Sequence, residues 1–222
     1  MILAIHQPNF MPWLGFFDKM RSADRFILLD DVQFIKNEFH NRNRIYTPQG
    51  ARWLTVPVHF SFGDTVTRVR LAELSNWKEK HVKTLRQMYC RAKHFQRLMP
   101  ELEKLYARPW TTLVDLNLAC IELGRELLQV GTPVCRHSES PAAGTATERL
   151  VNLCKMHGAD TYLAGAGGKA YMDLSLFERA GISVRFQDYR HPVYPQFGGE
   201  FMSNLCFLDL AFHAGPEAGR IL

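Results

Sequence analysis

Apolar residues along this chain fall in short runs separated by amphipathic stretches. Residues 1–5 are apolar and stop at His6-Gln7-Pro8-Asn9, which cannot continue a strand or begin a regular helix until after Pro12. A helix is predicted over about 13–20. A second apolar run at 25–29 ends in the carboxylates Asp30 and Asp31. Two apolar runs flanking one short helix predict a β-α-β unit with parallel strands. The polar stretch 33–50 reads as a loop or irregular hairpin, and 53–58 as a third strand whose end Pro57 places at a sheet margin.

Three helical patterns follow. Between 77 and 89 the residues Trp77, His81, Val82, Leu85, Met88 and Tyr89 share one face. A short helix is expected at 101–106 after Pro100, and a long buried one from Pro109 to about residue 129. The C-terminal third returns to alternation. Strands are expected at 132–136, 161–164 and 182–186, with a helix opened by a Thr145/Glu148 capping box and ended at Gly158. Asp173 caps a helix ending at Gly181, and a last helix is expected over 204–213. The expectation is α/β: one domain over 1–222, a three-layer Rossmann-like, mostly parallel sheet with a helical insertion near 76–129.

Composition narrows the chemistry. The 222 residues carry 27 Lys and Arg against 22 Asp and Glu, and the charges are spread along the chain rather than gathered in a stripe. That distribution suits an anionic small molecule and disfavours nucleic acid. The five cysteines have no CxxC or zinc-ligand spacing, so reduced thiols and no metal site are expected. The start lacks a basic n-region, and no apolar run approaches the roughly 18 residues of a membrane span, so a cytoplasmic location is expected.

In a parallel α/β sheet, ligands gather beyond the carboxyl ends of the strands. His6 and Asp30 stand at two such ends and are the candidate catalytic groups, either able to act as a general base. Gln7, Asn9 and Trp13 beside His6, and Gln33 beyond Asp30, are candidate substrate contacts. His40, Arg42 and Arg44 alternate with Asn41 and Asn43, so an extended segment would put the cations on one face as a phosphate or carboxylate patch, with Asn41 counted as a further contact. The run from Gly165 through Gly167 to Lys169 follows a strand as a phosphate-binding turn does, without the spacing of GxGxxG or GxxxxGK[ST]. His191, Tyr194 and Gln196 lie in a proline-stiffened polar segment and complete the candidate set.

Several of these runs carry a resemblance. The opening His6-Gln-Pro-Asn-Phe-Met-Pro-Trp-Leu-Gly-Phe-Phe-Asp18, then Asp30-Asp-Val-Gln-Phe34, Asn41-Arg-Asn-Arg-Ile45, Trp53-Leu-Thr-Val-Pro57, His191-Pro-Val-Tyr-Pro-Gln196 and Leu208-Asp-Leu-Ala-Phe-His-Ala-Gly215 resemble the WbqC-like family over nearly the whole chain. Phe39-His40 departs from the pattern, which expects an aromatic and a glutamine before the Asn-Arg-Asn run. That family belongs to gene clusters for O-antigen and other surface polysaccharides. The resemblance implies an acyl or aminoacyl, specifically glycine, transferase acting on a sugar nucleotide or glycan precursor. The order of strand, His-containing loop and late Gly/Lys turn is similar, more loosely, to nucleotidylyltransferases, which implies ATP or a sugar nucleotide as ligand. The HxGH motif of those enzymes is missing here. A non-catalytic binding module for sugar nucleotides or nucleic acid is the remaining alternative.

Overall fold

The computed structural model describes residues 1–72 and 76–222. In chain order its elements are β1 (Ile2–His6), α1 (Leu14–Arg21), β2 (Arg25–Leu28), β3 (Arg42–Ile45), β4 (Arg52–Thr55), β5 (Val58–His59), β6 (Arg70–Leu71), α2 (Trp77–Tyr89), α3 (Phe95–Ala107) and α4 (Leu113–Leu127). Then come β7 (Val134–Arg136), α5 (Ala146–Met156), β8 (Thr161–Ala164), α6 (Leu174–Arg179), β9 (Ser183–Phe186), α7 (Leu208–Ala214) and α8 (Ala218–Ile221). Two compact units emerge. The first holds Met1–Gln7, Asp18–Asp31 and Gly131–Arg190; the second holds Pro8–Phe17, Val32–Val130 and His191–Leu222. The division falls inside α1.

The first unit is a five-stranded sheet in the order β7-β2-β1-β8-β9, every pairing parallel. It is a Rossmann-like α/β arrangement with helices on both sides. Because both faces are covered, its central strands are continuous apolar runs: Leu3, Ala4, Ile5, Phe26, Ile27, Leu28 and Leu163 are buried. From β1 the chain crosses to β2 on one side, and from β8 it crosses to β9 on the other. Right-handed crossovers in opposite directions put α1 and α6 on opposite faces. The order therefore reverses between β1 and β8, and that reversal is where such sheets open a crevice at their carboxyl edge.

The second unit contains two small antiparallel pairs, β3-β4 and β5-β6, together with α2, α3, α4, α7 and α8. Aromatic packing holds it: Tyr89 stacks on Phe212 at 4.4 Å and 14°, and Phe17 meets Phe207 edge-on at 5.4 Å. Gly124 lets Phe17 lie directly against α4, since a Cβ there would overlap the ring.

Local signals misplace several boundaries. The expected strand 53–58 breaks before Pro57, so that β4 pairs with β3 while β5 pairs with β6. Instead of starting after Pro100, α3 runs through it. Pro100 is on the exposed side, where the carbonyl it leaves unbonded meets water, while Leu98, Met99, Leu102 and Leu105 bury a continuous face. Helix α4 begins at Leu113 rather than near Pro109, because the Thr112 hydroxyl oxygen accepts from the Asp115 amide at 3.2 Å. Thr145 occupies the N-cap of α5 but makes no side-chain cap bond. Residues 204–207 precede α7 instead of forming its start.

Candidate functional site

In the first unit, His6 closes β1, and its carbonyl accepts from the Leu29 amide at 2.9 Å. The β1-β8 register pairs Ala4 with Leu163, and continuing it by two residues sets His6 level with Gly165, on either side of the reversal in strand order. The ring's Nδ1 lies 2.9 Å from the Gln7 carbonyl oxygen. A carbonyl can only accept, so Nδ1 carries a hydrogen, and in the neutral ring Nε2 holds the lone pair. A histidine locked in that tautomer presents a base at Nε2.

Gly165 and the turn Ala166–Ala170 occupy the neighbouring strand end. Among the described residues beyond each glycine's chain neighbours, nothing lies within 4 Å of where a Cβ would stand on Gly165 or Gly167, so both have open space beside them. The Lys169 ammonium lies 4.9 Å from the Phe186 ring.

Asp30 occupies the end of the β2 segment differently from the expectation of a catalytic carboxylate. It is fully buried and accepts from Arg136 Nε at 2.9 Å, the Ser138 amide at 2.9 Å and the Ser138 hydroxyl at 2.7 Å. Desolvation pushes its pKa up, but the Ser138 hydroxyl and amide and the Arg136 guanidinium outweigh it and hold the carboxyl below its usual range. With both oxygens engaged by internal donors, Asp30 is a brace between β2 and the segment after β7. Neighbouring Asp31 lies 2.9 Å from His137 Nδ1 and faces Arg149 at 3.3 Å. His137 Nε2 accepts from the Ala142 amide, which fixes the hydrogen on Nδ1.

One feature of this edge escaped sequence reasoning. Lys19 is 3 % exposed, and its Nζ donates to the Ile5 carbonyl at 2.7 Å. Burial lowers its pKa to about 7. The available signal was helical spacing: Lys19 stands three residues after Phe16, on the face that ought to be apolar.

The second unit holds the other candidates. Arg42 and Arg44 share one face of β3, with their guanidinium carbons 4.1 and 5.8 Å from the Trp53 ring centre. His40 is not part of that cationic face: it is buried, its Nδ1 accepts from the Ile35 amide at 3.3 Å, and desolvation lowers its pKa to about 4, so it is neutral. Asn41 donates to the Val56 carbonyl and Asn43 to the Met11 carbonyl, both as buried backbone partners. Asn9 is buried, Trp13 forms a backbone bridge with Cys206, and Gln33 is exposed and bridges Thr65.

Tyr194 and Gln196 converge on a residue the sequence reading did not select. Asp209 is fully buried and accepts from Tyr89 Oη at 2.9 Å, Tyr194 Oη at 2.9 Å and Gln196 Nε2 at 2.7 Å. Burial raises its pKa; Gln196, His213 and the two tyrosines oppose that shift. His191 lies near this cluster, its ring centre 6.2 Å from that of Tyr194. The signal for Asp209 was a lone acid within the apolar run 207–212.

Among the described residues, no group of three or more His, Cys, Asp or Glu is placed to hold a metal ion, and no helix is long and apolar enough to cross a membrane. No solved structure matches the chain. The chain is 34 % identical over 220 residues to the uncharacterized protein Rv1507c of Mycobacterium tuberculosis (strain ATCC 25618 / H37Rv), covering 97 % of this chain and 95 % of that one. The WbqC-like protein family matches residues 7–221, from the loop after β1 to the last helix, and the chain belongs to that family.

Proposed function

We propose that the chain is an acyl or aminoacyl transferase, with glycine as the leading acyl group and a sugar nucleotide or glycan precursor of surface polysaccharide as acceptor. The observation that carries the reading is His6 at the reversal of strand order, held by the Gln7 carbonyl in the tautomer whose Nε2 is a base. In this scheme Nε2 removes a proton from the acceptor amine or hydroxyl as that nitrogen or oxygen bonds to the acyl carbon. The resulting oxyanion takes hydrogen bonds from the Ala166 and Gly167 amides, which begin a helical turn and have no acceptor within it. Collapse breaks the bond to the leaving group, which receives the proton from His6. Lys169 contributes positive charge to an anionic substrate at the same edge, and Asp30 serves as the brace described above. The protein would act in the cytoplasm, where activated acyl donors and sugar nucleotides meet.

Incubating the purified chain with activated glycine donors and a panel of amino-sugar nucleotides, with products read by mass, tests the reading. An acylated nucleotide formed by the parent and lost in His6→Gln supports it; equal product from both rejects it. The open space at Gly165 and Gly167 favours a second reading, ATP-dependent ligation. Pyrophosphate release that requires an amino acid would select that reading over simple transfer.

A further inference from the structure

Three of the half-buried arginines face acids, Arg136 with Asp30, Arg149 with Asp31 and Arg125 with Glu122, and a fourth, Arg25, meets His157 Nδ1 at 3.0 Å. Arg42 and Arg44 do not. Both are half-buried, and among the described residues neither forms an ion pair. Among the described residues the buried Nε atom of each has no hydrogen-bond partner, and the one hydrogen bond of the two side chains runs from Arg44 Nη2 to the Asn204 carbonyl at 3.1 Å. Two partly desolvated cations with no counter-ion among the described residues carry a standing electrostatic cost, which a bound anion would remove.

The surroundings define that anion further. Arg42 and Arg44 are alternate residues of β3, so their side chains leave the same face about 7 Å apart. That spacing suits two linked anionic groups better than one. Between and beside them stands Trp53, 40 % exposed, with Phe39 at 37 % exposure and a ring-centre distance of 6.0 Å. Exposed aromatic rings next to guanidinium groups that have no acid partner among the described residues form a surface for a flat, partly apolar ring tethered to anionic groups. The two buried amides behind the strand, Asn41 and Asn43, hold the hairpin to the Val56 and Met11 carbonyls, so the face is rigidly backed.

We infer that this face of the β3-β4 hairpin binds a nucleoside diphosphate group, with the two phosphates on Arg42 and Arg44 and the base against Phe39 and Trp53. The guanidinium forks match phosphate oxygens in a bidentate manner, and Arg42 already lies over the Trp53 ring, its guanidinium carbon 4.1 Å from the ring centre. The inference concerns the second unit only and does not rest on the transferase reading.

Calorimetric titration of the full chain with UDP and with ADP, alongside pyrophosphate and glucuronic acid, tests it. The expected result is saturable binding of a nucleoside diphosphate that weakens about tenfold or more in Arg42→Gln, Arg44→Gln and Trp53→Ala. Arg44→Gln guards against misfolding as the cause, because it leaves the Arg42–Trp53 stack intact, and thermal unfolding of each variant is recorded in parallel. Absence of binding at about 1 mM of either nucleotide overturns the inference. So does unchanged affinity in all three folded variants, or pyrophosphate or glucuronic acid binding as tightly as the nucleotides. Binding of a single-stranded oligonucleotide far above UDP, with a steep loss in salt, overturns it in favour of a nucleic-acid strand. His6→Gln binding UDP as the parent does while losing product formation would separate this inference from the transferase reading.

Discussion

Lys19 Nζ donates to the Ile5 carbonyl at 2.7 Å, tying a buried amine on α1 to the residue immediately before His6 on β1. An ammonium in that position loses nearly all its hydration and recovers one hydrogen bond. Its pKa is accordingly lowered to about 7, so near neutral pH a substantial share of the folded molecules hold it as the uncharged amine. The carboxyl end of β1 is thus fastened from the helix that follows the His6 loop.

This fastening makes stability depend on pH with a definite sign. The folded pKa of Lys19 lies below its ordinary value of 10.5, so between about 7 and 10.5 the unfolded chain binds the extra proton. The cost of burying the charge is full below pH 7 and fades as pH rises toward 10.5. Lys19→Met should therefore raise the urea midpoint most at about pH 6, with the gain shrinking steadily toward about pH 10. A gain that is flat across that range would contradict the burial account.

Asp30 gives the opposite dependence. Its folded pKa is held below its ordinary value near 3.8, so its contribution is present above that value and lost as pH falls through the folded one. Asp30→Ala leaves Arg136 without its carboxylate and should cost roughly 3 kcal/mol in urea unfolding at neutral pH. Ser138→Ala removes one hydroxyl bond and should cost about 1 kcal/mol.

In the second unit, Asp209 terminates two tyrosine hydroxyls and one amide. Asp209→Ala strands all three buried donors and is expected to destabilise by roughly 3 kcal/mol or more, whereas Tyr194→Phe removes one bond at a cost of about 1 kcal/mol. Denaturant melts of the two variants check the ranking. Equal effects would mean that the carboxylate does not organise the cluster.

His40 and His81 are both neutral in the fold, with pKa values lowered to about 4 by desolvation. His81 donates from Nε2 to the Thr55 carbonyl at 3.1 Å while its Nδ1 faces the Tyr106 hydroxyl at 3.2 Å, a pattern that suits the neutral ring. Acidification from about 6.5 to 4 protonates these rings first in the unfolded chain, so stability should fall across that window. Each ring contributes at most about 1.4 kcal/mol per pH unit. His81→Gln should flatten the slope there, as followed by denaturant midpoints against pH.

The legible parts of the fold are those whose signals are local. The apolar runs of β1, β2 and β8 and the single-faced pattern of α2 read directly, because burial on both faces or on one stripe writes itself into neighbouring residues. Pro57 and Pro100 misled in opposite ways: one splits an apolar run between two sheets, and the other sits harmlessly on the solvent side of α3. The carboxyl-end position of His6 and the shared face of Arg42 and Arg44 follow from period and strand ends. The partners that decide what a group does come from far along the chain. Asp30 stands at a strand end in the sequence, but its partners Arg136 and Ser138 are 106 and 108 residues away. Lys19 and Asp209 are identified by burial, which a single charged letter in a short run does not announce.

The proposed transfer chemistry rests on His6, and one comparison addresses it most directly: the rate of acyl-sugar-nucleotide formation by the parent and by folded His6→Gln under identical donor and acceptor concentrations. Loss of a general base predicts a fall of about 100-fold or more with the melting temperature little changed. Transfer by the variant at the parental rate would contradict the account.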